Sequence, residues 1–337
     1  MGYIIGVDQG GTKTHVAIMD HNGQLLSDHK NDGCYFPHDG VQAAIEVINI
    51  AIAEALKKAK IKIEDISMLV AGITGIDYEG DEALMTAALG EVYPDKDILV
   101  CNDCEIAYYS GTLNEVGAVI CAGTGINAAM FAPDGSKFVM GDYLKSSLQG
   151  GVAIAIRAIE AVMEADLGVL PATALTKIFL DFSGDATTFD LLRRYITDES
   201  FTTEIIGLAP QIIKSADQGD EVARGILDDF AQGLCACFIA ALRKMKMQDL
   251  GCDVVLAGSI FKGPANYLVS SITKQLTTAA KQLKIINAAF EPIVGACILG
   301  MIKTYGEFTE LNKANAKHSA VKWNLLRSSP ENQEGGN

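Results

Sequence analysis

No run in this chain approaches the ~18 uninterrupted apolar positions of a membrane-spanning helix, so no transmembrane segment is expected. The first residues lack a basic cluster followed by an apolar stretch. Tyr3 already opens a β-rich run, which argues against a secretory leader. Basic residues are in short supply: 27 Lys and Arg stand against 42 Asp and Glu, a formal charge of −15. Such a surface repels polyphosphate backbones and anionic bilayers, so neither nucleic acid nor a membrane is expected as a partner. A nucleotide remains compatible, because backbone N–H groups together with Mg²⁺ can hold phosphate inside an acidic protein. Zinc-type cysteine spacing is also missing. Of the eight cysteines, Cys101 and Cys104 form a CxxC, and no second pair stands at the matching distance. Several of the others lie within apolar runs, where cysteine behaves as a small buried hydrophobe, and a reducing cytoplasmic setting is expected.

What the chain does hold is apolar mass. Hydrophobic residues make up 49% and charged ones only 20%, the balance of a packed globular protein. Its 337 residues exceed one ordinary core, so two domains are expected.

The stretch Tyr3–Asp20 organises the rest. Two apolar β-rich runs flank Asp8-Gln9-Gly10-Gly11-Thr12-Lys13-Thr14, and Asn22-Gly23 then supplies a hairpin turn signal. Glycine lets successive N–H groups converge on an anion. An acid at the strand end beside that anion makes chemical sense when a cation stands between them, which points to phosphate with Mg²⁺. An ordinary glycine hairpin with a surface acid is the alternative reading.

A third strand follows from Gly23. Residues 31–40 read as a breaker-rich loop, Val41–Lys60 as an amphipathic helix, and Ile66–Ile73 as a buried strand. Glu79–Val92 reads as a helix and Asp97–Cys101 as a strand running into Asn102-Asp103. This βββαβαβ order predicts an α/β domain with a mixed sheet. The opening pattern then returns as strand, Cys121-Ala122-Gly123-Thr124-Gly125, strand, closing on Asp134-Gly135. Gly11 to Gly23 and Gly123 to Gly135 both span 12 residues, as two copies of one unit would. Two phosphate-facing hairpins in duplicated domains suggest a nucleotide gripped in a cleft between them. Beyond them, helices are expected at 154–165, 189–195, 203–215, 221–247 and 265–283. Strands are expected at 253–257 and 285–290, with a helix opening at Glu291-Pro292. A mostly polar tail begins at Lys313 and frays at its end. The expected domains are 1–115 and 116–310, with the tail 311–337 packing back on the first.

Asp8–Thr14, Cys121–Gly125 and Leu256-Ala257-Gly258-Ser259 together resemble the superfamily of sugar kinases, actin and heat-shock chaperone ATPases. Asn102-Asp103, the Ala-Gly-Thr-Gly loop and Pro292-Ile293-Val294-Gly295-Ala296 are similar to its N-acetylglucosamine kinase branch, the BadF/BadG/BcrA/BcrD-type ATPase family. The likeness covers roughly residues 3–305. It implies two duplicated ribonuclease-H-like (actin-like ATPase) domains, each a mixed sheet flanked by helices, with ATP and Mg²⁺ as cofactors. By resemblance, Asp8 organises Mg²⁺, while Gly10, Gly11, Thr12 and Lys13 face the β- and γ-phosphates. Gly123, Thr124 and Gly125 clamp the phosphates, and Gly258 with Ser259 borders the adenosine. Asp103 is the base for the attacking sugar hydroxyl, and Thr74, Asn102, His38 and Asp142 are candidate substrate residues. This set suffices for phosphoryl transfer, which needs mainly positioning and charge neutralisation.

Two departures fall on the sugar side. The branch usually carries Gly-Asp-Glu-Gly-Ser after its second phosphate loop. Here Gly141-Asp142-Tyr143 keeps the aspartate and loses the glutamate, with Gln149-Gly150-Gly151 as a displaced equivalent. The branch's Asn-His after the third strand is replaced by Phe36-Pro37-His38. The expected function is ATP-dependent phosphorylation of a small-molecule sugar, an amino sugar first, in a possible homodimer. The alternative is an ATPase whose hydrolysis drives a conformational change in a partner protein.

Overall fold

A computed structural model of the chain describes residues 2–262 and 266–327. Close packing divides it into two units. The first comprises Met1–Val119, Val255–Ala257 and Ile286–Asn337, and the second Ile120–Val254 and Gly258–Ile285.

In the first unit the opening apolar runs become β1 (Tyr3–Gln9) and β2 (Lys13–Met19), antiparallel, with Ile4 opposite Met19 and Gln9 opposite Thr14. β3 (Leu25–Asp32) pairs antiparallel with β2 after the Asn22-Gly23 turn. The breaker-rich loop then contains one helical turn, α1 (Phe36–Asp39), that the sequence did not announce. α2 (Val41–Ala59), β4 (Ile66–Ile73), α3 (Asp81–Val92), β5 (Asp97–Asn102) and the short α4 (Asp103–Tyr109) complete this half. β4 runs parallel to β1 and β5 parallel to β4, so the sheet is mixed, in the order β3-β2-β1-β4-β5. The alternation of strand residues sorts its two faces. Ile5, Val7, Val16 and Ile18 join Ile48, Ile52, Met85 and Leu89 of α2 and α3, while Ile4, Ala17 and Met19 face the other way.

The second sheet has the order β10-β9-β6-β7-β8, built from β6 (Gly117–Ala122), β7 (Ile126–Phe131), the brief β8 (Lys137–Val139), β9 (Asp253–Ala257) and β10 (Lys284–Asn287). Between β8 and β9 lie α5 (Gly150–Asp166), α6 (Ala174–Ser183), α7 (Thr188–Thr197), α8 (Glu199–Glu204), α9 (Ala209–Asp217) and α10 (Glu221–Lys244). Thr173, Thr187, Asp198 and Asp220 cap α6, α7, α8 and α10 by accepting backbone N–H bonds. The helix expected over 203–215 is interrupted by a 3₁₀ stretch, Ile205–Leu208, because Pro210 cannot extend a helix from its N-terminal side. α10 is long and apolar enough to cross a membrane by length and composition, and it packs instead against α5, α9 and α11 (Asn266–Ala279). The start of the helix expected at 265 lies outside the described residues.

The chain returns to the first unit with α12 (Pro292–Tyr305) and α13 (Glu310–Lys322). Ile293, Val294, Cys297, Ile298, Ala316 and Ala320 cover the face carrying Ile4, Ala17 and Met19. The polar segment from Lys313 is therefore helical up to Lys322, and the frayed end expected beyond residue 327 lies outside the described residues.

The two hairpins repeat each other in detail. Gly23 (φ +84°) donates to Asp20 O at 3.0 Å while Asp20 N–H bonds Gln24 O at 3.0 Å. At the matching positions Gly135 (φ +82°) donates to Ala132 O at 3.0 Å and Ala132 N–H bonds Ser136 O at 2.9 Å.

Candidate active site

In the first unit, the turn after β1 is closed by the Gly10 N–H donating to Lys13 O at 2.9 Å. It is anchored from both sides: Cys34 N–H bonds Gly10 O (3.0 Å) and Thr74 N–H bonds Gln9 O (2.9 Å). Gly33 lies directly behind it. A Cβ there would stand 2.4 Å from both Gly11 C and Lys13 N, so only glycine fits beneath the turn. Gly11, Thr12 and Lys13 are left exposed, a backbone-lined surface of the kind that binds anions. Asp8 sits just before the turn. Burial pushes its carboxyl up to about 7; Lys13 pulls it down, and the charges of Asp103 and Glu291 add to the rise.

Asp103 opens α4, and Asn102 caps that helix. The Asn102 Oδ1 accepts from Cys104 N–H at 2.9 Å, and its Nδ2 donates to Ile76 O and Asp77 Oδ1, both at 2.9 Å. Its amide is committed to holding the 76–77 turn against the helix start. The Thr74 hydroxyl donates to Asp103 Oδ2 at 2.5 Å, and Oδ1 is buried with no hydrogen-bond partner. Burial raises the Asp103 carboxyl above its ordinary range, against the Thr74 bond and the helix-start N–H groups. His38 is 86% exposed and its Nδ1 lies 2.7 Å from Asp39 Oδ1. Two other residues of that loop lean on the site: a Cβ at Gly75 would meet Pro37 Cγ at 2.7 Å and Tyr35 Cε2 at 3.0 Å.

In the second unit, the turn after β6 rests on the start of α5. Gly151 N–H donates to Gly123 O at 2.8 Å and Val152 N–H to Thr124 O at 3.0 Å. Gly150 (φ +54°) is required there, since a Cβ would stand 2.2 Å from Gly125 O. Gly258 (φ +96°) likewise passes Ala122 too closely for a side chain, with a Cβ 2.2 Å from Ala122 O. Thr124, Gly125 and Ser259 are exposed. Beside them opens a cavity of about 350 Å³ lined by Thr124, Ser259, Ile206, Pro210, Ile213 and Ile260, among others. Ile206, Pro210 and Ile213 were not foreseen, and their only sequence signal was the Gly207-Leu208-Ala209-Pro210 break inside an apolar run. Asp142 lies on an exposed 3₁₀ turn, Gly141–Tyr143.

The model of the BadF/BadG/BcrA/BcrD ATPase family matches residues 5–300. The chain belongs to this family. An N-acetyl-D-glucosamine kinase of Dictyostelium discoideum is 27% identical over 316 residues, covering 88% of this chain and 97% of that protein. An N-acetylmuramic acid/N-acetylglucosamine kinase of Clostridium acetobutylicum is 26% identical over 302 residues, covering 89% and 98%. Among solved structures, a ROK family glucokinase of Streptomyces griseus, in complex with glucose and AMPPNP, superposes with a TM-score of 0.57 at 17% identity. It covers 88% of this chain and 99% of its own, a likeness of fold. Two mixed five-stranded sheets flanked by helices are thus the architecture this member shares with sugar kinases.

Proposed function

We propose that the protein is an ATP-dependent kinase that phosphorylates a hydroxyl of an amino sugar, N-acetylglucosamine or a close relative, with Asp103 as the base. The observation that carries this is Asp103 itself: a carboxylate raised by burial, held through one oxygen, its other oxygen buried and unbonded. The names of the relatives supply the acceptor class. The acceptor oxygen forms its bond to the γ-phosphorus, the bond to the leaving diphosphate breaks, and the hydroxyl proton passes to the Asp103 carboxylate.

In this reading the exposed backbone of Gly11–Lys13 and of Thr124-Gly125 meets phosphate oxygens, the Gly10 and Gly123 N–H groups close their own turns, and Lys13 adds a positive charge. The apolar cavity beside Ser259 takes the nucleoside. Asp8 would hold Mg²⁺. The fit is electrostatic: a half-buried carboxyl pushed up to about 7, with the acidic groups of Asp103 and Glu291 close by, is an environment that a cation relieves. Among the described residues no group of three or more His, Cys, Asp or Glu is placed to hold a metal, which suits an ion held by one carboxylate, water and phosphate. Bound there, Mg²⁺ would neutralise charge on the phosphates. None of the eight cysteines, all of them among the described residues, is joined in a disulfide.

ATP consumption against N-acetylglucosamine, glucosamine, glucose and a sugar-free blank tests the reading. Turnover is expected with an amino sugar and not in the blank, and Asp103→Asn should lose on the order of 100-fold or more in kcat. Equal turnover in the blank would overturn the kinase in favour of a partner-driven ATPase.

A further inference from the structure

Thr74 stands at a junction that ordinary sugar binding does not explain. It follows the last residue of β4, and it makes two bonds in two directions. Its backbone N–H donates to Gln9 O at 2.9 Å, one residue from Asp8 and one from Gly10. Its hydroxyl donates to Asp103 Oδ2 at 2.5 Å. One residue therefore ties the strand that leads into the phosphate turn to the carboxylate that faces the acceptor. The next residue, Gly75 (φ +92°), turns the chain away under Pro37 and Tyr35, so Thr74 itself is only partly exposed.

The consequence for Asp103 is an asymmetry between its two oxygens. The Thr74 hydroxyl has a single proton, and that proton goes to Oδ2. Oδ1 is buried and has no hydrogen-bond partner, an arrangement that buried polar atoms rarely adopt unless something else is meant to satisfy them. We infer that Thr74 is a positioning residue: it holds Asp103 by Oδ2 so that Oδ1 is the oxygen presented to the acceptor hydroxyl, and it fixes that oxygen's distance from the phosphate turn. This assigns Thr74 no contact with the sugar. It rests on the reading of Asp103 as the base, and it adds which oxygen takes the proton and what aims it. In-line transfer is sensitive to such aim, because small misplacement of a reacting group costs much of the rate advantage of proximity.

The test compares Thr74→Val, Thr74→Ser and Asp103→Asn in the full-length enzyme with its amino-sugar substrate and MgATP. Thr74→Val removes the hydroxyl at nearly constant volume. Its kcat should fall roughly 10- to 100-fold, the worth of a hydrogen bond to a charged group, while KM for sugar and for ATP stay within about threefold. Thr74→Ser restores the hydroxyl and should recover kcat to within about fivefold of the parent. A Thr74→Val kcat within twofold of the parent, with Asp103→Asn inactive, would overturn the positioning role and leave the base assignment standing. A raised sugar KM with kcat intact would make Thr74 a sugar ligand, which also overturns it. Full activity in Asp103→Asn would defeat the base assignment itself. Should Thr74→Val not fold, Thr74→Ala against Thr74→Ser gives the same contrast.

Discussion

Burial pushes the Asp8 carboxyl up to about 7, so that near neutrality it is only partly ionised, and its chemistry in the proposed enzyme requires the carboxylate. Its folded value of about 7 lies above the unfolded value of 3.8. Such a group favours the folded state fully below the unfolded value, and that contribution is lost as pH rises through the folded one. Asp8→Asn should therefore melt higher than the parent at pH 8, with the gap closing by about pH 4, while kinase activity falls. Equal gaps at both pH values would show that Asp8 is not perturbed. Asp8, Gly10–Lys13 and Gly123–Gly125 could be named as candidates from the sequence because glycine pairs and an acid at a strand end leave a local signature. The roles of Asn102 and Thr74 could not, since each is defined by a partner far along the chain: Ile76 and Asp77 for one, Asp103 for the other.

Among the elements, the first hairpin depends on a residue outside it. Gly33 follows β3, in a stretch that reads as an ordinary loop, yet it touches the underside of the turn between β1 and β2. Gly33→Ala should shift Gly11 and Lys13, raising KM for ATP about tenfold or more and lowering Tm, because the obstructing atoms are backbone and cannot swing away. An unchanged KM would mean that the turn is not a phosphate site. The elements that sequence patterns identified are those with broad apolar stripes, such as α2 and α10. α13 escaped because the residues it buries, Asn312, Ala316, Ser319 and Ala320, are too small or polar to register as a stripe. Its start was marked nonetheless by a Thr309–Asn312 capping box. α4 is seven residues long and buries a glutamate and two tyrosines, so periodicity had little to work on.

For the whole molecule, α/β class and duplication were readable from strand order and the repeated 12-residue interval. The sequence boundary at 115/116 lies close to the structural one at Val119/Ile120, but Ile286–Asn337 groups with the first unit. That grouping is a property of distant packing: Trp323 Nε1 donates to Leu25 O at 3.3 Å, and Leu25 N–H to Ser319 Oγ at 3.0 Å. If α13 is an integral cover, Ala316→Glu, at a position with no exposure, should lower Tm by at least about 5 °C. Val321→Glu, on the outer side and 65% exposed, should move it by no more than about 1–2 °C. Equal small shifts would show that α13 is loosely held.

The interleaved division has a consequence in time. The second unit is nearly one continuous stretch, Ile120–Val254 with Gly258–Ile285, whereas the first opens the chain and is completed from Ile286 onward. At synthesis rates of about 5–20 residues per second, Ile4, Ala17 and Met19 wait roughly ten seconds to a minute for Ile293, Ala316 and Ala320 to be made. Through that interval the face of the first sheet carrying Ile4, Ala17 and Met19 lacks the helices that later bury it, so the newborn chain, more than the mature one, exposes apolar strand surface of the kind that invites aggregation.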